Sequence, residues 1–146
     1  MAMRHIQALS KQNVVEMLRQ AGVNPTSQRV EVAHTLFCSC EHLSADEIMQ
    51  RVNAEYPQVS KATVYNTLGI LAQHQLVREV IVEPGKVFYD ANSIPHHHFY
   101  HMDSGRLEDI PSEHLTIQSL PPLPEGTVLD SVDVVIRVRE RAMRLA

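Results

Sequence analysis

The sequence predicts an α+β protein built in two parts, and three observations lead there. Apolar residues recur at helical spacing through the first half, each run preceded by a residue suited to a helix N-cap. A stretch rich in Val and Ile then surrounds a Pro-Gly turn, the pattern of a β-hairpin. In the last third, short β-like stretches flank turns, and prolines interrupt any long helix. We read residues 1–90 as one domain and 91–146 as a second, small α/β domain, with a hinge at about 84–95.

Ser10 can cap a first helix whose apolar face is Val14, Met17 and Leu18, with Gly22 near its end. Thr26 can cap a second, in which Val30, Ala33 and Phe37 recur. "SADE" is a capping box: Ser44 and Glu47 can satisfy each other's backbone donors, ahead of Ile48 and Val52. Pro57 breaks that helix. Ser60 caps the next, "KATVYNTLGILAQHQ", with Val64, Leu68 and Leu71 as its buried stripe. "LVREVIVEPGKVFYD" follows as two strands joined at "EPGK". Beyond the hinge, "HHHFYHM" and "RLEDI" flank the turn "DSG" as a second hairpin. Pro111, Pro121, Pro122 and Pro124 exclude a long helix after it. Val134, Ile136 and Val138 alternate with Arg137 and Arg139 in a final strand.

The chain has 146 residues, 44% of them hydrophobic and 21% charged, enough to bury a core. No apolar run approaches the ~20 residues a membrane helix requires. Cys38 and Cys40 are too few and too close for a disulfide framework, so we expect reduced thiols and a cytoplasmic protein. The net charge of −4 argues against a simple nucleic-acid binder. Residues 1–90 carry 8 Lys/Arg against 9 Asp/Glu, and residues 91–146 carry 5 against 8. A DNA-binding surface would therefore be local, and a bound cation would help it.

Short helices followed by a hairpin are the parts of a winged helix-turn-helix. The helix capped by Ser60 would enter the major groove, presenting Lys61, Thr63 and Asn66 beside Tyr65. The same residues would also suit a solvated helix face. Arg29 reads equally as a phosphate contact or as a surface charge.

"SIPHHHFYHMD" places four of the nine histidines, His96, His97, His98 and His101, within six residues. The run is internal and three long, so it is no expression tag. On a strand, His96 and His98 share a side while His97 faces the other way. Asp90 precedes the hinge, and Asp109 lies on the partner strand. Imidazoles and carboxylates without a thiolate suit Fe²⁺, Mn²⁺ or Zn²⁺. No His-Glu-x-x-His motif points to a zinc enzyme.

In this order, "HLSADEI", "KATVYNTLGIL", "GKVFYD", "HHH" and "SGRLEDI" resemble the ferric uptake regulator family, from about Val23 to Ile110. "HHHFYHMDSGRLEDIP", the proline-rich tract and "VDVVIRVR" look most like its iron response regulator subgroup, which senses iron status in part through haem. The resemblance implies one regulatory metal site of His42, Asp90, His96, His98 and Asp109. Without it, His42 would read as a capping or surface residue. It implies Fe²⁺ or Mn²⁺ in the cell, with Zn²⁺ an alternative occupant in a crystal. It implies that Tyr65 and its neighbours read double-stranded operator DNA, and that the second domain forms a homodimer. Haem is a second candidate ligand, at His96, His97 and His98, with a haem-delivery protein as a further candidate partner. The family's Cys-x-x-Cys zinc motif is absent: those positions hold His101 and Ser104. A second family metal site is degraded, with Pro95 and His97 where a His and an Asp would stand. The expected activity is metal-responsive transcriptional regulation, not catalysis. A peroxide-sensing iron-dependent regulator, or a haem- or metal-binding module without a regulatory role, are the alternatives.

Overall fold

A computed structural model describes residues 9–39, 41–91 and 96–142. Cys40, Pro95 and part of the expected hinge lie outside the described residues. The chain divides into two compact units, Met1–Ser93 and Ile94–Ala146.

The first unit opens with helix α1 (Lys11–Gln20), capped by Ser10, and α2 (Ser27–Phe37), capped by Thr26. A two-residue strand β1 (Leu43–Ser44) leads into α3 (Ala45–Val52), where the Ser44–Glu47 capping box is present. Helix α4 (Lys61–Gln73) follows, its N-cap Ser60 accepting from the Thr63 N–H. Strands β2 (Arg78–Glu83) and β3 (Lys86–Asp90) form an antiparallel hairpin. Gly85 at its turn has φ +76, the left-handed region that glycine enters without steric cost.

One core joins these helices. Val14 and Leu18 of α1 pack with Val32, Ala33 and Leu36 of α2, Ile48 of α3, and Val64, Leu68 and Leu71 of α4. All nine are at most 1% exposed. Fully burying such a side chain is worth about 1.5–3 kcal/mol, so this apolar stripe, rather than helix propensity, holds α4 in place. The sheet order is β1-β3-β2. The unexpected member is β1, which pairs with β3 through Leu43↔Tyr89 and Ser44↔Phe88.

The second unit is a three-stranded sheet of order β5-β4-β6, from β4 (His97–His101), β5 (Arg106–Ile110) and β6 (Val135–Val138). The turn between β4 and β5 places Gly105 at φ +72. Tyr100 and His98 are buried on one face of β4, two residues apart in the strand alternation. A short 3₁₀ turn at Ser112–His114 follows β5, and the proline-rich stretch after it forms neither helix nor strand before β6. Strand β6 runs parallel to β4.

Candidate functional site

In the first unit, the pairing of β1 with β3 explains a contact between residues far apart in sequence. Leu43 lies opposite Tyr89, so the antiparallel register carries His42 to Asp90. The His42 Nδ1 stands 3.5 Å from Asp90 Oδ2, and both side chains are largely buried. On its other side Asp90 is the register partner of Arg78. The loop carrying His42 is tied to α3, where Arg51 donates to Glu41 at 2.8 Å and to the Ser39 hydroxyl at 3.4 Å.

In the second unit, the β4–β5 register places His98 directly opposite Asp109. His96 precedes β4, and its ring centroid lies 4.4 Å from that of His98. Both imidazoles reach the same carboxylate oxygen: Asp109 Oδ1 is 3.0 Å from His96 Nε2 and 3.1 Å from His98 Nε2. His98 is buried, while the Asp109 side chain is half-exposed. An ion bound at about 2.1 Å by each of several donors keeps neighbouring donors roughly 3.0–3.4 Å apart. Both imidazole nitrogens stand at that spacing from the Asp109 oxygen, and the three donors suit a borderline divalent ion.

His97 stands apart from its neighbours. Its Nδ1 accepts the Val134 N–H at 3.0 Å, within the sheet. His101 and Ser104, at the positions of the family's cysteines, also serve the hairpin. His101 Nε2 contacts Glu108 at 2.7 Å, and the Ser104 hydroxyl accepts the Arg106 N–H.

Of the expected nucleic-acid contacts, Lys61, Tyr65 and Asn66 are exposed along the first turns of α4. The Lys61 ammonium lies 5.9 Å from the Tyr65 ring centroid, within cation–π range. Ser60 and Thr63 are engaged locally, the Ser60 hydroxyl accepting from the Thr63 backbone and donating to its side chain. Arg29 is half-buried, and its Nη1 donates to the Asn24 carbonyl, which anchors the turn before α2.

The sequence reading missed Asn53. Its amide donates to the Val59 carbonyl and its oxygen accepts from the Gln58 and Val59 N–H groups, all at 2.9 Å. It therefore shapes the loop that delivers Ser60 to the start of α4. An Asn just past an amphipathic helix reads as a stop, so the available signal pointed only to the helix end.

Residues 20–134 match the model of the ferric uptake regulator family. The chain belongs to that family. A peroxide-responsive repressor PerR of Staphylococcus aureus is 34% identical over 95 residues, 65% of this chain. The match spans 64% of that relative's length. Among solved structures, the ferric uptake regulator of Pseudomonas aeruginosa with manganese aligns at a TM-score of 0.66 and 23% identity, over 87% of this chain and 97% of that one. The Campylobacter jejuni peroxide stress regulator aligns at 0.58 and 27% identity, over 90% and 96%. The family's two-part fold, a winged-helix domain followed by a second domain, is the architecture described above. Among the described residues, no helix is long and apolar enough to cross a membrane.

Proposed function

We propose that this chain is a metal-responsive transcriptional regulator that binds operator DNA as a homodimer. The observation that carries the reading is the convergence of His96 and His98 on one oxygen of Asp109. It belongs to a family member that also carries a helix-turn-helix with an exposed Lys61–Tyr65–Asn66 face. The donor chemistry of both ligand sets, His42 with Asp90 and His96 with His98 and Asp109, fits a single divalent cation held by all five. When bound, such an ion supplies a cross-link and positive charge beside acidic residues. The protein's own part is to set the spacing of two recognition helices in the dimer, which must match half-sites about one DNA turn, or a multiple, apart. Metal and DNA affinities are then coupled reciprocally. Catalysis is not part of this reading.

The test is anisotropy of a labelled, AT-rich palindromic duplex at fixed salt. Protein is titrated after chelation, again with Mn²⁺, and in parallel as His98→Ala. Tightening on Mn²⁺ that the variant loses supports the switch. Equal binding in all three would sink it.

A second reading is favoured by the likeness to two peroxide-responsive proteins. Here bound Fe²⁺ directs oxidation to a ligand histidine. Peroxide treatment of the iron-loaded protein should then add about 16 Da, one oxygen, to the His42 or His96 peptide. An unmodified pair with DNA binding intact would rule it out. Haem, and a protein delivering it, rest on the subgroup resemblance alone. In that variant haem competes for His96 and His98 and releases DNA, so equal DNA affinity of the haem- and Mn²⁺-loaded dimers would eliminate it.

A further inference from the structure

We infer that the three consecutive histidines divide into two roles, and that His97 is a positioning residue which pins β6 beside the metal-binding strand. The contact that assigns this is the Val134 N–H donating to His97 Nδ1 at 3.0 Å. A backbone amide can only donate, so Nδ1 must present a lone pair. A neutral imidazole with an acceptor at one nitrogen carries its proton on the other. His97 is thus set as the Nε2–H tautomer and has no second lone pair to offer an ion or a haem iron. This separates it from His96 and His98, whose Nε2 atoms meet at Asp109.

The location gives the bond its consequence. Val134 is gripped at both of its backbone groups, since its carbonyl also accepts the His98 N–H at 3.1 Å. The chain reaches this point after an exposed stretch without helix or strand. Pairing between β6 and β4 starts at the next residue, with His98↔Val135. Parallel pairing is slightly weaker per residue than antiparallel pairing, and β6 is four residues long. A side-chain acceptor at its entry therefore fixes the register at little cost. The same Val134 grip holds the main chain of His98, whose ring meets Asp109 one strand away. His97 acts on the metal site through the backbone of its neighbour, as outer partners of metal ligands do.

Three substitutions separate this from a ligand role or a general packing role. Asn places its side-chain oxygen near the position of Nδ1, Gln reaches toward that of Nε2, and Ala offers neither. Two quantities are read in the intact chain: amide hydrogen exchange of Val134 without metal, and Mn²⁺ affinity by competition with a chelating dye. For His97→Ala and His97→Gln we expect Val134 protection to fall about tenfold or more and Mn²⁺ to bind roughly tenfold more weakly. His97→Asn should restore both. Undiminished Val134 protection in His97→Ala would overturn the pin. Lost protection with unchanged Mn²⁺ affinity would overturn the positioning role. If Asn restores Val134 protection but not Mn²⁺ binding, His97 is itself a ligand and the division of roles is wrong. The metal consequence rests on the function proposed above. Failure of the wild-type protein to bind Mn²⁺ would remove that reading and the positioning role together, while Val134 exchange, measured without metal, would still decide the pin.

Discussion

At the scale of single residues, polar side chains that bind backbone do more to shape this protein than surface ion pairs do. Asn53 makes three hydrogen bonds at 2.9 Å in a partly buried loop. The Lys11–Glu31 and Arg19–Glu16 pairs sit in solvent. A net hydrogen bond contributes about 0.5–1.5 kcal/mol, and an exposed ion pair roughly 0–1 kcal/mol. Asn53→Ala should therefore cost about 2 kcal/mol or more by denaturant unfolding, and Glu16→Ala should stay within about 0.5 kcal/mol. Asn53→Asp should recover only part of the loss. It keeps the acceptor for Gln58 and Val59 but replaces the donor to the Val59 carbonyl with a second oxygen. If Asn53→Ala proved as mild as Glu16→Ala, the loop before α4 would be held by something other than this side chain.

At the scale of elements, the β4–β5 hairpin is braced on one face by His101, Arg106 and Glu108. Glu108 accepts from His101 at 2.7 Å and from Arg106 at 2.9 Å. The His101 hydrogen bond holds its carboxyl below the ordinary value of 4.5; desolvation, the next largest effect, opposes it, and the Arg106 charge adds to the lowering. A depressed carboxyl stabilises the fold above its unfolded pKa and loses that contribution as pH falls through the folded value. Glu108→Gln should therefore lower the melting temperature slightly at neutral pH, where the contribution is fully present, and converge with wild type as pH falls below the ordinary value of 4.5, so that the acid limb flattens. The effect should be small, because the group is solvent-exposed. An acid limb identical to wild type would show that the brace carries no weight. This hairpin was legible in the sequence because the turn "DSG" sets the register that brings His98 opposite Asp109. The caps Ser10, Thr26, Ser44 and Ser60 were legible for the same reason, being local. Strand β1 was not: two residues show no alternation, and its partner lies over 40 positions away. The His42–Asp90 contact depends on that strand, so only family resemblance suggested it. The pairing of β6 with β4 was equally hidden, since nothing local encodes a partner reached across a long irregular connection. The bond from the Val134 N–H to His97 was hidden for the same reason.

At the scale of the whole molecule, charge limits how the proposed DNA complex can be held together. The net charge is −4, and several cations of the first unit already face acids: Lys11 meets Glu31 at 2.6 Å, Arg19 meets Glu16 at 3.2 Å and Arg51 meets Glu41 at 2.8 Å. In the proposed complex, Lys61 at the start of α4 and Arg29 in the first turn of α2 are the cations set against phosphates. Two per protomer make four in a dimer. Each neutralised phosphate contributes about −0.9 to the slope of log K against log salt, so the proposed dimer should show a slope of about −4. Lys61→Ala removes two contacts per dimer and should bring that slope closer to zero by about 2. Mn²⁺ should raise affinity at every salt concentration and leave the slope nearly unchanged, because it sets the geometry of contacts that already exist. The measurement is anisotropy across a salt series, with and without Mn²⁺. A slope that steepens by several units on adding metal would mean that the ion recruits new phosphate contacts, and the geometric account of the switch would have to give way to an electrostatic one.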